Sequence, residues 1–170
     1  MRKILIAGVL AALAVPAAAS AGTTPDPKSP AQQCRAERTA MGETEFKNLY
    51  GTNRNKSNAF GKCVSKQARS QDANTDNAAK RCRAERSQDA AAFREKYGTN
   101  RNKSNAFGKC VSQHARAATA QQQQDRLNAA RTCRAEQRQD AAAFRQKYGT
   151  NRNKSNAFGK CVSQHARAQS

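Results

Sequence analysis

The chain has 170 residues, enough for one ordinary domain or a few very small ones. Lys and Arg number 31 against 12 Asp and Glu, which gives a formal net charge of +19 with both histidines neutral. Aromatic residues make up only 5% of the chain and Trp is absent. This composition argues against one large hydrophobic core, because few bulky apolar side chains are available to offset chain entropy.

The N-terminus predicts export from the cytoplasm. Residues 1–21 resemble a secretory signal peptide, with a basic start, an apolar stretch from Ile4 to Val15 and small residues for cleavage after Ala21. The apolar stretch is shorter than the roughly 20 residues that a membrane-spanning helix needs. We therefore expect cleavage, no later transmembrane segment and a secreted or extracytoplasmic product. Residues 22–31 contain three prolines and predict a disordered leader.

The remainder of the chain is built from an internal repeat. The sixteen-residue block YGTNRNKSNAFGKCVS occurs three times, letter for letter, beginning at Tyr50, Tyr97 and Tyr148. A Cys-Arg-Ala-Glu motif precedes each block. Repetition of this kind indicates repeated supersecondary units. We predict an all-α fold of three small tandem helical repeats, with two to three short helices each, over residues 32–70, 78–118 and 127–168.

Spacing predicts a break inside each unit. The first cysteine and the following Phe are 12 residues apart in the first copy and 11 in the others. One inserted residue would rotate the rest of a continuous helix by about 100°. Gly42 in the first copy, and Asp89 and Asp140 in the others, suit the end of one helix and the start of the next.

The second copy illustrates the predicted elements. A first helix ends near Ser87, and a second runs from Asp89 to Tyr97 and ends at Gly98. A polar loop follows at 99–103, and a third helix continues to about residue 118. Ser104 or Asn105 would cap this third helix. The predicted core consists of alanines, the two cysteines and four larger residues: Phe93, Tyr97, Phe107 and Val111.

The copies are separated by polar segments of unequal length. The second cysteine of one copy and the first of the next are 19 residues apart in one case and 23 in the other. Unequal spacing disfavours a regular solenoid, so we expect polar linkers and a loose mutual orientation. The difference of four residues is close to one helical turn, however, which leaves a continuous connecting helix as an alternative.

The cysteines predict structural disulfides. Six cysteines allow fifteen pairings, and the repeat favours one pair per copy: Cys34–Cys63, Cys82–Cys110 and Cys133–Cys161. Units this small usually need such a cross-link, because they bury little surface. A zinc or redox site is disfavoured, since there is no Cys-x-x-Cys and the first copy has Gln67 where the others have histidine. We expect no metal and no cofactor.

No catalytic motif is apparent, and we predict that the protein is not an enzyme. A glutamate recurs in each copy, at Glu37, Glu85 and Glu136, but it lies among arginines. An ion pair with Arg38 or another nearby base explains these glutamates better than general-base chemistry. His114 and His165 are expected to pack or to be solvated.

The identical polar loop is the candidate binding site. It combines hydroxyl, amide and cationic donors ahead of a helix N-terminus, an arrangement that suits phosphate, sulfate or carboxylate. Turn formation and capping alone would also explain the small polar residues, although they explain the cations less well. Both interpretations stay open. The candidate anion-binding residues are Arg54, Lys56, Lys62, Arg101, Lys103, Lys109, Arg152, Lys154 and Lys160.

These features predict a secreted, non-enzymatic, cationic repeat protein that binds anionic polymers or surfaces multivalently, such as cell-wall polymer or extracellular nucleic acid. Nucleic-acid binding would be non-specific, because few aromatic residues are available to stack on bases. The alternative is a structural or protein–protein interaction module of the cell envelope without anion specificity. The oligomeric state is left open.

Overall fold

The protein is all-helical over residues 28–169, the part of the chain that a computed structural model describes. This confirms the all-α part of the predicted fold class. The predicted signal peptide and residues 22–27 of the predicted leader lie outside the described residues. The described range contains seven helices: α1 (Pro30–Met41), α2 (Glu43–Tyr50), α3 (Ala59–Gln88), α4 (Ala90–Tyr97), α5 (Ala106–Gln139), α6 (Ala141–Tyr148) and α7 (Ala157–Ala168).

The first helix begins inside the segment predicted to be a disordered leader. Ser29 is its N-cap: its Oγ accepts a hydrogen bond from the Gln32 N–H at 3.3 Å, and Gln32 Oε1 accepts from the Ser29 N–H at 2.9 Å. Pro30 occupies the first helical position, where a missing N–H costs nothing. The last two residues of the predicted leader are therefore helical, because this capping box starts the helix ahead of the first cysteine.

Each copy contains the predicted break between helices. Gly42 separates α1 from α2 with φ at +82°, a conformation that strongly favours glycine. Asp89 and Asp140 separate the corresponding helices of the later copies. Each aspartate accepts two hydrogen bonds at 2.9 Å, from the backbone N–H groups of the second and third residues of the next helix. The inserted residue of the first copy is thus absorbed at a helix boundary.

The predicted polar linkers are helical instead. Helix α3 runs without interruption through residues 71–77, and α5 runs through 119–126. Neither segment contains Gly or Pro, and the glutamines of 119–126 favour helix, whereas 71–77 consists mostly of Asp, Asn and Thr, which favour it less. Their polar side chains also pair between the two helices. Asn74 Nδ2 donates to Thr119 Oγ1 at 3.1 Å, and Ser70 Oγ donates to Gln122 Oε1 at 2.7 Å. The alternative of a continuous connecting helix is the correct one.

The long helices give the copies a definite orientation, which corrects the expectation of loosely tethered units. The Cys82–Cys110 disulfide and the Asn74–Thr119 contact make α3 and α5 antiparallel. The Cys133–Cys161 disulfide does the same for α5 and α7. Helices α3 and α7 therefore begin at one end of the molecule, and α5 begins at the other. A rise of 1.5 Å per residue puts Cys63 and Cys82 about 28 Å apart along α3.

Within residues 28–169, the buried side chains form two clusters rather than three. The larger cluster joins the first and third copies, because α1 packs on α5 and α2 packs on α7. Ala129 and Ala130 of α5 are fully buried there, and such small side chains allow helices to approach closely. The smaller cluster belongs to the second copy alone, with Cys82, Phe93, Tyr97, Ala106 and Cys110 at its centre. Phe107 and Val111, predicted as core, are only partly buried against it.

One disulfide lies within each copy: Cys34–Cys63, Cys82–Cys110 and Cys133–Cys161. All six cysteines are fully buried. Three disulfides in one small protein indicate an oxidising compartment. Among the described helices, none has both the length and the apolar character needed to cross a membrane.

Candidate anion-binding sites

The polar loop has the same internal hydrogen bonds in every copy. In the second copy, Asn105 Oδ1 accepts from the Thr99 and Asn100 N–H groups at 3.0 and 3.4 Å, and Asn105 Nδ2 donates to Thr99 Oγ1 at 2.7 Å. Asn100 Nδ2 donates to Ser104 Oγ at 2.8 Å. Equivalent bonds occur in the first and third loops. Folding therefore uses the small polar residues that the copies share.

Two details of the loop differ from the sequence prediction. Asn105 precedes α5, but its side chain turns back to the loop and makes no capping hydrogen bond to the helix. Gly98 ends α4 in an extended conformation, with φ at −73°, rather than in the left-handed region. Glycine is required there for space, because a Cβ atom would lie 2.6 Å from the Arg94 carbonyl oxygen and 2.7 Å from Lys103 Cβ.

Lysine occupies the left-handed position of each loop. Lys56, Lys103 and Lys154 have φ values of 56°, 57° and 55°. This conformation costs an L-residue about 1–2 kcal/mol. The amine of Lys103 donates to the Gly98 carbonyl oxygen at 3.2 Å and pairs with Glu95 at 3.5 Å. Lys154 makes the same carbonyl contact at 2.9 Å, whereas Lys56 donates to the Asn48 side chain. These candidate cations therefore help to close the loop.

The arginines of the loops have no such role. Arg54, Arg101 and Arg152 are exposed. None of them has a hydrogen-bond or ion-pair partner within residues 28–169. The exposed lysines Lys62, Lys109 and Lys160 lie in the first turn of α3, α5 and α7. A cation in that turn opposes the helix dipole. The fold accounts for the amides and hydroxyls of the loop but not for these six cations.

The structure places the three loops unequally. The first and third loops precede α3 and α7 and lie at the same end of the molecule, whereas the second loop precedes α5 at the opposite end. A groove of about 610 Å³ adjoins the third loop, with α2 of the first copy beside α7. Lys160 lines this groove together with Lys147 and Arg167, and no acidic residue does so.

Lys147 and Arg167 escaped the sequence prediction because each lies outside the repeated block. No sequence signal could have found the groove, since α2 and α7 come from different copies. Lys147 also pairs with Glu136 at 3.4 Å, which leaves Lys160 and Arg167 as the cations of the groove without an acidic partner among the described residues.

The recurring glutamates form ion pairs with bases, but not with the adjacent arginine: Arg126 lies 3.7 Å from Glu37, Lys96 2.5 Å from Glu85 and Lys147 3.4 Å from Glu136. Glu37 is 1% exposed and accepts hydrogen bonds from the Tyr50 hydroxyl and the Gln67 amide. Arg38 instead contacts Glu43 at 3.8 Å. In the second copy, Glu85 accepts from the Tyr97 hydroxyl at 2.9 Å and from Lys96. The glutamate of this motif therefore binds groups from the following short helix, because the break folds that helix back onto it.

The two histidines lie half-buried beside tyrosines. The Nε2 atoms of His114 and His165 are each 3.3 Å from the hydroxyl of Tyr97 or Tyr148. Desolvation and the nearby Arg81 charge lower the pKa of His114. Each histidine also has a ring nitrogen within 4.8 Å of the two cysteine sulfurs of its copy. Those sulfurs are bonded to each other in the disulfides and are therefore not thiolate ligands for a metal.

Glu37 and Glu85 predict opposite pH dependences of stability. Burial raises the pKa of Glu37 above its usual 4.5, whereas the hydrogen bond from Lys96 lowers the pKa of Glu85. Between the unfolded pKa of 4.5 and the raised folded pKa, the folded state retains a proton on Glu37 that the unfolded state has lost, so stability falls as pH rises through the folded pKa. The contribution of Glu85 is instead present above the unfolded pKa and is lost as pH falls through the folded pKa.

Urea unfolding of the wild type, E37Q and E85Q between pH 3.5 and 7 measures both effects. We expect the stability of the wild type relative to E37Q to increase on acidification, and its stability relative to E85Q to decrease. The same direction for both variants would contradict the assigned environments.

Comparison with known protein families, with curated proteins and with solved structures finds no match for this chain.

Proposed function

We propose that the protein is secreted and non-enzymatic, and that its three copies bind anionic polymers through their basic loops. The observation that carries this proposal is the loop itself. Its amides and hydroxyls bond one another, while Arg54, Arg101 and Arg152 project from it without a partner in the described chain. Unpaired guanidinium groups suit sulfate, phosphate and carboxylate, which accept their N–H donors in pairs.

The arrangement of the loops supports multivalent binding. The first and third loops share one end of the molecule with the groove that Lys160 and Arg167 line, and stiff helices hold the second loop at the other end. Fixed spacing raises the effective concentration of a second site when a polymer spans both sites. The first and third loops therefore act together on one polymer segment, and the second loop binds another segment.

The test removes the loop arginines and compares the result with an equal loss of charge elsewhere. R54A/R101A/R152A is expected to bind dextran sulfate at least about tenfold more weakly at physiological salt, because three charge-assisted contacts are lost. The control, R69A/R83A/R131A, removes three exposed helical arginines and the same charge. We expect it to weaken binding only about twofold to threefold through the general field of the protein.

The variants also test the arrangement of the loops. The double variant R54A/R152A is expected to weaken binding more than R101A alone, because it removes both sites at one end. Circular dichroism and melting temperature establish that each variant folds. Equal losses of affinity in the loop and control variants would show that binding depends only on the net charge of the protein. Unchanged binding in the loop variant would instead favour a structural or protein-interaction module.

A further inference from the structure

A second cavity lies beside the groove, where α2, α3, α5 and α7 meet. Its volume is about 250 Å³, and it shares Leu49, Ser163 and Arg167 with the groove. Three cations line it, one from each of three helices: Lys66, Arg126 and Arg167. Leu49 and Val162 supply an apolar wall. The cavity therefore combines positive charge with apolar surface in one open cleft between the helices.

One donor atom of the cavity lining lacks a hydrogen-bond acceptor among the described residues, although its guanidinium group lies in an ion pair with Glu37. Arg126 Nη1 is buried and makes no hydrogen bond within the described part of the chain. Its nearest carboxylate oxygen, Glu37 Oε1, is 3.7 Å away and already accepts from Gln67. Asp125, the acid in the lining, accepts from Gln121 Nε2 at 2.7 Å. A buried donor without an acceptor is costly, and native proteins contain few of them.

The charges around the cavity do not balance. Lys66, Arg126 and Arg167 face only two carboxylates, those of Glu37 and Asp125, so one positive charge is left over. Partial burial and the charges of Arg126 and Arg167 hold the pKa of Lys66 below its usual value. The Lys66 amine lies 5.6 Å from the centre of the Tyr50 ring, at the edge of this cluster.

The sequence of the first copy departs from the others at this place. Residues 66 and 67 are Lys and Gln, where the other copies have Gln and His at 113–114 and 164–165. Gln67 donates to Glu37, and Lys66 lines the cavity. Both departures therefore face the same cluster, and one of them adds a cation where the other copies have a neutral amide.

We propose that this cavity binds a small organic monoanion, a carboxylate carried by a compact apolar group. The carboxylate would accept from Arg126 and neutralise the surplus charge, and the apolar group would contact Leu49 and Val162. Planar carboxylates match the donor geometry of arginine. This site is separate from the basic loops and does not depend on polymer binding.

The probes are benzoate and its neutral analogue benzamide, titrated into the disulfide-bonded protein and followed by ¹H–¹⁵N NMR. Benzoate is expected to shift the amide signals of residues around Leu49 and Val162 saturably, and benzamide is expected to bind at least about tenfold more weakly. Equal binding of the two probes, or shifts spread over the three loops, would overturn the proposal.

Variants locate the site. K66Q introduces the residue of the other copies, and both K66Q and R167Q are expected to weaken benzoate binding about tenfold. K62Q, which removes a charge from an exposed position of the same helix, is expected to leave it unchanged. Wild-type affinity in both K66Q and R167Q would refute the site. R54A/R101A/R152A is expected to retain benzoate binding, which separates this proposal from the polymer-binding one.

Discussion

Replacing Phe158 by alanine is expected to lower the free energy of unfolding by about 3–5 kcal/mol, the usual cost of emptying a large core site. Phe158 is 2% exposed and packs in the cluster that joins the first and third copies. Its ring centre lies 6.4 Å from that of Phe144. This loss of stability has two parts: the apolar burial that the ring contributed on folding, and the cavity that the surrounding helices cannot fill.

The chain provides a matched control for this substitution. Phe107 occupies the same position of the identical block in the second copy, yet it is only partly buried, with the Arg86 guanidinium 5.1 Å from its ring centre. F107A is expected to lower the free energy of unfolding by about 1–2 kcal/mol, because the partly buried ring of Phe107 buries less apolar surface on folding. Urea denaturation measures both values. Since the local sequences are identical, equal losses would mean that the first and third copies do not share a core.

Removing the Cys133–Cys161 disulfide is expected to destabilise the whole protein. Removing Cys82–Cys110 is instead expected to destabilise only the end of the molecule that contains α4. Both pairs close loops with a sequence separation of 28, so chain entropy assigns each about 3–4 kcal/mol. Their surroundings differ. Cys133 and Cys161 lie in the shared cluster of the first and third copies, and Cys82 and Cys110 lie in the small cluster of the second.

Calorimetry and amide hydrogen exchange distinguish the two outcomes. C133A/C161A is expected to lower the temperature of the main unfolding transition. It is also expected to reduce protection against amide hydrogen exchange throughout α1, α5 and α7. C82A/C110A is expected to retain most of that protection and to lose it chiefly in α4 and the adjoining helix ends, since local unfolding follows local packing. The same pattern of lost protection in both variants would show that the two clusters unfold as one unit.

Local sequence signals predicted the elements that depend on a few neighbouring residues. Gly42, Asp89 and Asp140 end and begin helices as expected, because left-handed or extended backbone and side-chain capping are decided within one turn. The cysteine pairing also followed from the repeat, since each pair lies within one copy. The loop arginines were also visible in the sequence, because turn formation explains their amide neighbours but does not require an arginine.

Only the tertiary structure decided how the copies combine. Residues 71–77 and 119–126 are polar, and polarity alone does not distinguish a solvated linker from a helix whose amides pair with a second helix. Repeats of identical sequence also acquired different burial, as Phe107 and Phe158 demonstrate. Burial depends on which distant surface meets a residue, and here α1 and α2 fold back over α5 and α7. The burial of Glu37 and the cavity beside Arg126 follow from that long-range contact, which no local pattern records.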